Sequence, residues 1–255
     1  MAIDLNKAVE QVRIVLEKKE ITSIKAHVKF VLDISGSMSG LFTRGIVQEL
    51  TERALAIGIN MDIDNEIDVY VFGGGAYHVS KANRSNIDGY VQREILSKFN
   101  YEGTTKYAPI MELVAHQAGH YNGVVQAAPE PEKKGFFSRM FGKKEETVQA
   151  DPTSGNGEPV IVFFITDGDT FDAARSEKLI RDLSDTPIFW QFIGLGNSSF
   201  DFLKKLDEMP GRYIDNANFF DAGDITKITD DVLYDRILNE LPDWHKEAIA
   251  KGVIH

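Results

Sequence analysis

The chain has no cysteine, which removes disulfides, thiol nucleophiles and thiolate metal sites together. This leaves the compartment open, because a cysteine-free protein persists in either redox environment. Positive charge is also scarce. Against 39 Asp and Glu stand only 28 Lys and Arg, a formal net charge of -11, so nucleic-acid binding by phosphate neutralisation is not expected. No segment approaches the ~20 apolar residues of a membrane-spanning helix. Residues 1–20 are charged throughout and lack the apolar centre of a signal peptide; a soluble cytoplasmic protein is the expectation. Among six histidines, His116 and His120 lie four apart, but no third ligand accompanies them for zinc. Two catalytic loops are missing as well. There is no Gly-rich phosphate loop ending in Lys-Ser or Lys-Thr, and Ser35-Gly36-Ser37-Met38-Ser39-Gly40 lacks the spacing of a Gly-x-Ser-x-Gly elbow.

What is present is enough apolar content, 43% of 255 residues, for one well-buried core. Leu5, Val9, Val12 and Leu16 predict an amphipathic helix over 4–19 with Asp4 as N-cap. Helical spacing recurs over 41–59 (Ile46, Leu50, Ala54, Ile57), 87–99, 108–118, 176–183, 199–209 and 225–241. Apolar strands are predicted over 28–32, 67–72, 160–165 and 187–193. Residues 77–80 return antiparallel after Gly73-Gly74-Gly75. A last short strand falls at 213–214 or 218–220. Strands alternating with helices predict an α/β fold, a three-layer, doubly wound and mostly parallel sheet with one antiparallel edge strand. The division is an N-terminal helix over 1–22, a domain over 23–241, and a C-terminal tail over 242–255.

The first strand, broken only by Lys29, ends abruptly in Asp33-Ile34-Ser35-Gly36-Ser37. Here oxygen-bearing side chains stand two apart on a loop leaving a buried strand. Hard oxygen ligands without His or Cys suit Mg²⁺, Mn²⁺ or Ca²⁺. One carboxylate and two hydroxyls under-coordinate such an ion, so further ligands must come from other loops. Thr104 and Thr105 precede Tyr107-Ala108-Pro109, with Pro at an acceptable helix start. Asp167 opens Asp167-Gly168-Asp169 at the carboxyl end of the strand over 160–165. Loops at the carboxyl ends of parallel strands share one edge of a sheet, where ligands bind. Singly, Asp33 also reads as a helix cap and Asp167-Gly168 as a turn; their joint occurrence favours the metal site.

This three-part pattern, Asp-x-Ser-x-Ser, then Thr, then Thr-Asp-Gly, resembles the von Willebrand factor A (vWA) domain and its metal-ion-dependent adhesion site. The resemblance runs from about Val28 to Leu241. Thr-x-Tyr-Ala-Pro and the N-terminal helix look most similar to the bacterial tellurium-resistance-type and copine-like A domains. The resemblance implies a Rossmann-like fold with Asp33, Ser35, Ser37 and Asp167 as metal ligands, some through water. It also implies one threonine, Thr105 by alignment on Tyr-Ala-Pro or Thr104 by alignment on Gly-Thr. Asp169 is a possible outer-sphere carboxylate. The implied function is metal-dependent binding of an acidic partner group, in a tellurium-resistance or stress-type system.

The competing class is a Mg²⁺-dependent phosphatase or hydrolase using Asp167 as nucleophile. Asp167-Gly168-Asp169-Thr170 superficially suits it, but Phe171 stands where that motif wants Thr or Val. From about 127 to 158 the composition turns to Pro, Glu, Lys, Gly and Ser, which reads as a surface insertion. Within it, basic ends bracket Phe136, Phe137 and Phe141, candidates for a membrane or partner contact. Acidic neighbours Glu130, Glu132, Glu145 and Glu146 cancel much of the attraction to an anionic surface.

Overall fold

The computed structural model describes residues 3–123, 125 and 157–255. Six strands form one sheet in the order β3-β2-β1-β4-β5-β6. They span His27–Asp33 (β1), Ile67–Phe72 (β2), Ala76–Ala82 (β3), Val160–Thr166 (β4), Ile188–Leu195 (β5) and Ala217–Gly223 (β6). All neighbouring pairs are parallel except β2–β3, the antiparallel edge pair. The parallel strands are apolar almost throughout because helices cover both faces. On β1, Val28, Phe30 and Leu32 enter one core and Val31 the other, following the two-residue period of a strand. Lys29 is buried on the Val31 side, where its ammonium pairs with Asp68 of β2 at 2.5 Å.

One face carries α1 (Leu5–Lys18), α2 (Ser39–Thr43), α3 (Ile46–Met61), α7 (Asp230–Ile237) and α8 (Leu241–Ala250). The other carries α4 (Ala108–Gln117), α5 (Ala173–Asp182) and α6 (Asp201–Asp207). Asp4 caps α1, accepting from the Lys7 amide at 3.1 Å. α1 packs along α3 and α7, so the N-terminal helix shares the main core.

Three predicted helices differ, and the open choice for the last strand is resolved in favour of 218–220. The single helix expected over 41–59 divides at Gly45, whose φ of 76° interrupts the helical path between α2 and α3. Only a short π-helical turn, Val91–Leu96, forms within 87–99. The last strand is Ala217–Gly223, while Ile214, from the alternative 213–214, is buried outside any strand. The helix expected over 225–241 is a 3₁₀ turn (Ile225–Lys227), then α7, then the start of α8. α8 continues through the segment read as a tail and buries Trp244, Ala248 and, beyond it, Ile254. Amphipathic spacing does not reveal these breaks, because the flanking pieces bury residues into the same core.

Candidate metal centre

Asp33 is the last residue of β1 and is fully buried. Leu32 pairs with Ile165 on β4, so Asp33 and Thr166 follow side by side at the carboxyl edge. Both lie on the Val31/Phe164 side of their strands by the two-residue period. The Thr166 hydroxyl donates to Asp33 Oδ2 at 2.7 Å. The Ser35 amide donates to Asp33 Oδ1 at 2.7 Å and turns the chain out of the strand. Ser35 then leads the 3₁₀ turn Gly36–Met38, which brings Ser37 back over the edge. The Ser35 and Ser37 hydroxyl oxygens lie 3.0 Å apart, and Ser37 donates to Asp167 Oδ1 at 2.8 Å. Asp33, Ser35, Ser37 and Asp167 are thereby brought together across 134 positions of sequence numbering, from 33 to 167.

Burial pushes the Asp33 carboxyl up to about 6, against the bonds from Ser35 and Thr166 that favour its ionised form; the Asp167 charge nearby adds to the rise. Burial also raises Asp167, with the Ser37 hydroxyl opposing. Among the described residues, no Lys or Arg side chain pairs with either carboxylate. A buried acid without a cationic neighbour normally neutralises itself or takes a metal. The donors converging here are carboxylate and hydroxyl oxygens alone, the set that fits a hard divalent cation.

The second loop is held against the first by main chain. The Glu102 amide donates to Ile34 O and the Gly36 amide to Glu102 O, both at 2.9 Å. The Glu102 carboxylate accepts from Gly74 N (2.5 Å), Gly75 N (2.9 Å) and Tyr77 OH (2.9 Å). A Cβ on Gly73 would meet Glu102 Cβ at 2.7 Å, and one on Gly74 would meet Thr104 Oγ1 at 2.5 Å. The glycines therefore admit this loop. Thr104 is exposed and its hydroxyl faces Gly74; Thr105 is buried, and its hydroxyl makes no hydrogen bond among the described residues.

The third loop clasps the second. Phe171 N donates to Thr105 O at 3.0 Å, and Thr170 Oγ1 reaches the same carbonyl at 3.2 Å. Asp172 accepts from Tyr107 N (3.0 Å), Ala108 N (3.2 Å) and Thr170 Oγ1 (2.6 Å), placing an anion at the start of α4. Tyr107 donates its hydroxyl to Gly168 O, and that hydroxyl lies 3.2 Å from Thr166 Oγ1. Below them the Tyr107 ring meets Phe72 and Phe164 edge-on at 5.7 and 4.9 Å, and Phe164 in turn packs against Phe72 and Phe192 at 4.7 and 5.1 Å. A fourth loop also touches the site: Ser198 donates to Asp167 O at 2.6 Å.

Sequence reasoning missed Thr166, Tyr107, Glu102 and Ser198 as supports. Thr166 carried a signal, since it is the one polar residue of Val160–Thr166. Glu102 and Ser198 carried none, because their partners lie far away in the chain and are mostly main-chain atoms. Asp169 is exposed and makes no hydrogen bond among the described residues. No three His, Cys, Asp or Glu side chains converge among the described residues. His116 Nδ1 instead lies 2.9 Å from Tyr121 O. Phe136, Phe137 and Phe141 lie outside the described residues. Among those described, no helix is long and apolar enough to cross a membrane.

The family described as vWA-TerF-like, the vWA found in the TerF C terminus, matches residues 25–128 and 143–254. The chain belongs to this family. Its match spans both sides of the Pro- and Lys-rich segment and includes all three loops of the site. Protein YcbR of Bacillus subtilis (strain 168), itself described as uncharacterized, is 37% identical over 254 residues, 99% of this chain and 90% of that protein. Among solved structures, proximal thread matrix protein 1 of the mussel byssus shares the vWA-type fold. Its second crystal form superposes with a TM-score of 0.50 at 13% identity, over 86% of this chain and 48% of the mussel protein. This TerF-like chain thus spans about half the length of that structural neighbour.

Proposed function

We propose that this TerF-like vWA domain is a metal-dependent protein-interaction module that binds an acidic group of a partner protein. Asp33, Ser35, Ser37, Thr105 and Asp167 would hold Mg²⁺, with Mn²⁺ or Ca²⁺ as substitutes, and Asp169 would act from outside the ligand set. The supporting observation is the run Asp33–Ser35–Ser37–Asp167, linked by the Ser35 amide and the two serine hydroxyls, with no Lys or Arg paired to either carboxylate among the described residues. Thr105 is preferred to Thr104 because the Thr104 hydroxyl is turned to the Gly74 backbone. When bound, the cation supplies a coordination position that a partner carboxylate can fill.

The domain's part is to hold its carboxylates and hydroxyls in place. A chain of formal net charge -11 has little attraction for an acidic partner or for nucleic acid without that ion. The TerF-like relationship points to a bacterial tellurium-resistance or stress-type system as the setting. Without cysteine the chain has no thiol for tellurium oxyanion chemistry, so its role there is binding. A cytoplasmic location and no more than peripheral membrane contact go with this reading.

Millimolar Mg²⁺ or Mn²⁺ should raise the melting temperature of the wild type, by mass action on the folded state. Asp33→Ala should abolish that shift; an unchanged shift would overturn the ligand assignment. Partners should be retained in a pull-down with Mg²⁺ and lost with chelator. Phosphatase turnover abolished by Asp167→Asn would replace this reading with the hydrolase.

A further inference from the structure

Phe171 is the most exposed large apolar side chain among the described residues, at 78%; the next, Ile249, is at 52%. It contributes almost nothing to the core, yet its backbone is among the best anchored of the third loop. Its amide is bonded to Thr105 O, Thr170 before it bonds the same carbonyl, and Asp172 after it binds the first amides of α4. An aromatic ring is therefore presented to solvent from a rigid seam between two of the loops that form the candidate metal site. Lys106, the residue after Thr105, is also exposed and forms no ion pair among the described residues. On the other side of the second loop Tyr101 is 42% exposed, its ring edge-on to Phe42 at 5.7 Å.

We infer that Phe171 is the specificity-determining residue of the interaction face. The partner segment it fits carries an Asp or Glu with an aromatic or long aliphatic side chain within about three residues of it, the reach of roughly 10 Å of extended chain. This rests on the proposed metal-dependent binding and adds what that reading leaves open, the chemistry beside the carboxylate. Charge favours the same ligand. A carboxylate is drawn to the bound ion and to Lys106, while an apolar neighbour removes Phe171 from water. Because the loop is already held, little backbone order remains to be imposed on binding. An aromatic anchor at the edge of a polar centre is the arrangement that dominates affinity in interfaces.

The test is a displayed library of random nonapeptides selected on the full chain in Mg²⁺ and eluted with EDTA. The expected consensus is one acidic position with Phe, Tyr, Trp, Leu, Ile or Met enriched nearby. Phe171→Ala should weaken the selected peptides roughly ten- to a hundredfold, while Phe171→Leu keeps most of the affinity. Both variants should retain the wild-type Mg²⁺-induced melting shift, which shows fold and metal site intact. Peptides eluted by EDTA but indifferent to Phe171→Ala, or an acidic consensus without an apolar neighbour, overturn this inference alone. Peptides that survive EDTA, or the absence of any Mg²⁺ melting shift, overturn the metal reading and this inference with it. A selection with no Mg²⁺-dependent consensus, Phe171-dependent self-association, or Phe171-dependent binding to phosphatidylglycerol vesicles would each overturn it by removing the acidic peptide as occupant.

Discussion

Thr166 illustrates how much a single hydroxyl carries at this site. Its oxygen donates to the buried Asp33 at 2.7 Å, and the Tyr107 hydroxyl lies 3.2 Å from it. Replacing it by Val keeps the shape but leaves Asp33 Oδ2 without its donor, so the carboxylate is no longer oriented by β4. Residues that orient metal ligands typically carry 10–100-fold in affinity. Thr166→Val should therefore weaken Mg²⁺ binding roughly 10–100-fold, measured by isothermal titration, and Thr166→Ser should restore most of it. Wild-type affinity in Thr166→Val would refute the orienting role. At this scale the sequence was informative about type and poor about partnership. Asp33, Ser35 and Ser37 stand out as alternating oxygens after an apolar run. Nothing local to Ser37 says that it bonds to a residue numbered 167.

At the scale of elements, α4 and α5 are joined by the Glu112–Arg175 ion pair and, at the edge of the candidate site, by the Asp172 carboxylate. Asp172 stands at the N-cap position of α5 but spends its oxygens on Tyr107 N and Ala108 N, the first amides of α4. Charged hydrogen bonds are worth ~1.5–3 kcal/mol each, and losses on a shared acceptor are not additive. Asp172→Ala should destabilise the protein in chelator by about 2–3 kcal/mol in urea unfolding and also weaken Mg²⁺ binding, because the clasp of Thr170 and Phe171 on Thr105 loosens. Gly73→Ala should separate these effects. A Cβ placed 2.7 Å from Glu102 Cβ displaces the second loop, so affinity should fall with little change in the urea midpoint. The helix over 108–117 was legible from its spacing and Pro109; its cap was not, since the capping residue arrives from another loop. The break at Gly45 shows the converse. Its left-handed backbone separates two segments whose apolar residues face one core, so the hydrophobic period runs through it unbroken.

For the whole molecule, the acidic balance makes stability depend on pH away from the metal site as well as at it. Glu240 before α8 is pushed up to about 7 by burial and then by Asp207 and Asp215, with Arg212 opposing. Burial and Asp215 push Asp207 up to about 6, and burial raises Asp215. The folded chain holds these protons more tightly than the unfolded one. Their stabilisation is complete below the ordinary carboxylate pKa of about 4 and is lost as pH rises through about 6–7. In chelator, the melting temperature should fall between pH 5.5 and 8, and Glu240→Gln should flatten that slope. An equal slope in the variant would assign the dependence elsewhere. These groups are partly exposed, so the effect should also shrink in high salt.

The sequence by itself determined the class of fold, because buried parallel strands must be apolar on both faces and their crossover helices amphipathic. It determined the donor chemistry as well: without cysteine, and with oxygens spaced two apart after a strand, only hard oxygen ligands were on offer. Tertiary structure alone decided which of these meet. The β1–β4 register sets Asp33 beside Thr166, the glycines of the β2–β3 turn admit the Thr104–Thr105 loop, and Asp172 binds the third loop to α4. It also decided that Phe171 faces solvent, since an aromatic after a turn reads as core until the packing around it is known. These are distances between residues far apart in the chain, set by strand register and close backbone approach, and a local pattern does not encode them.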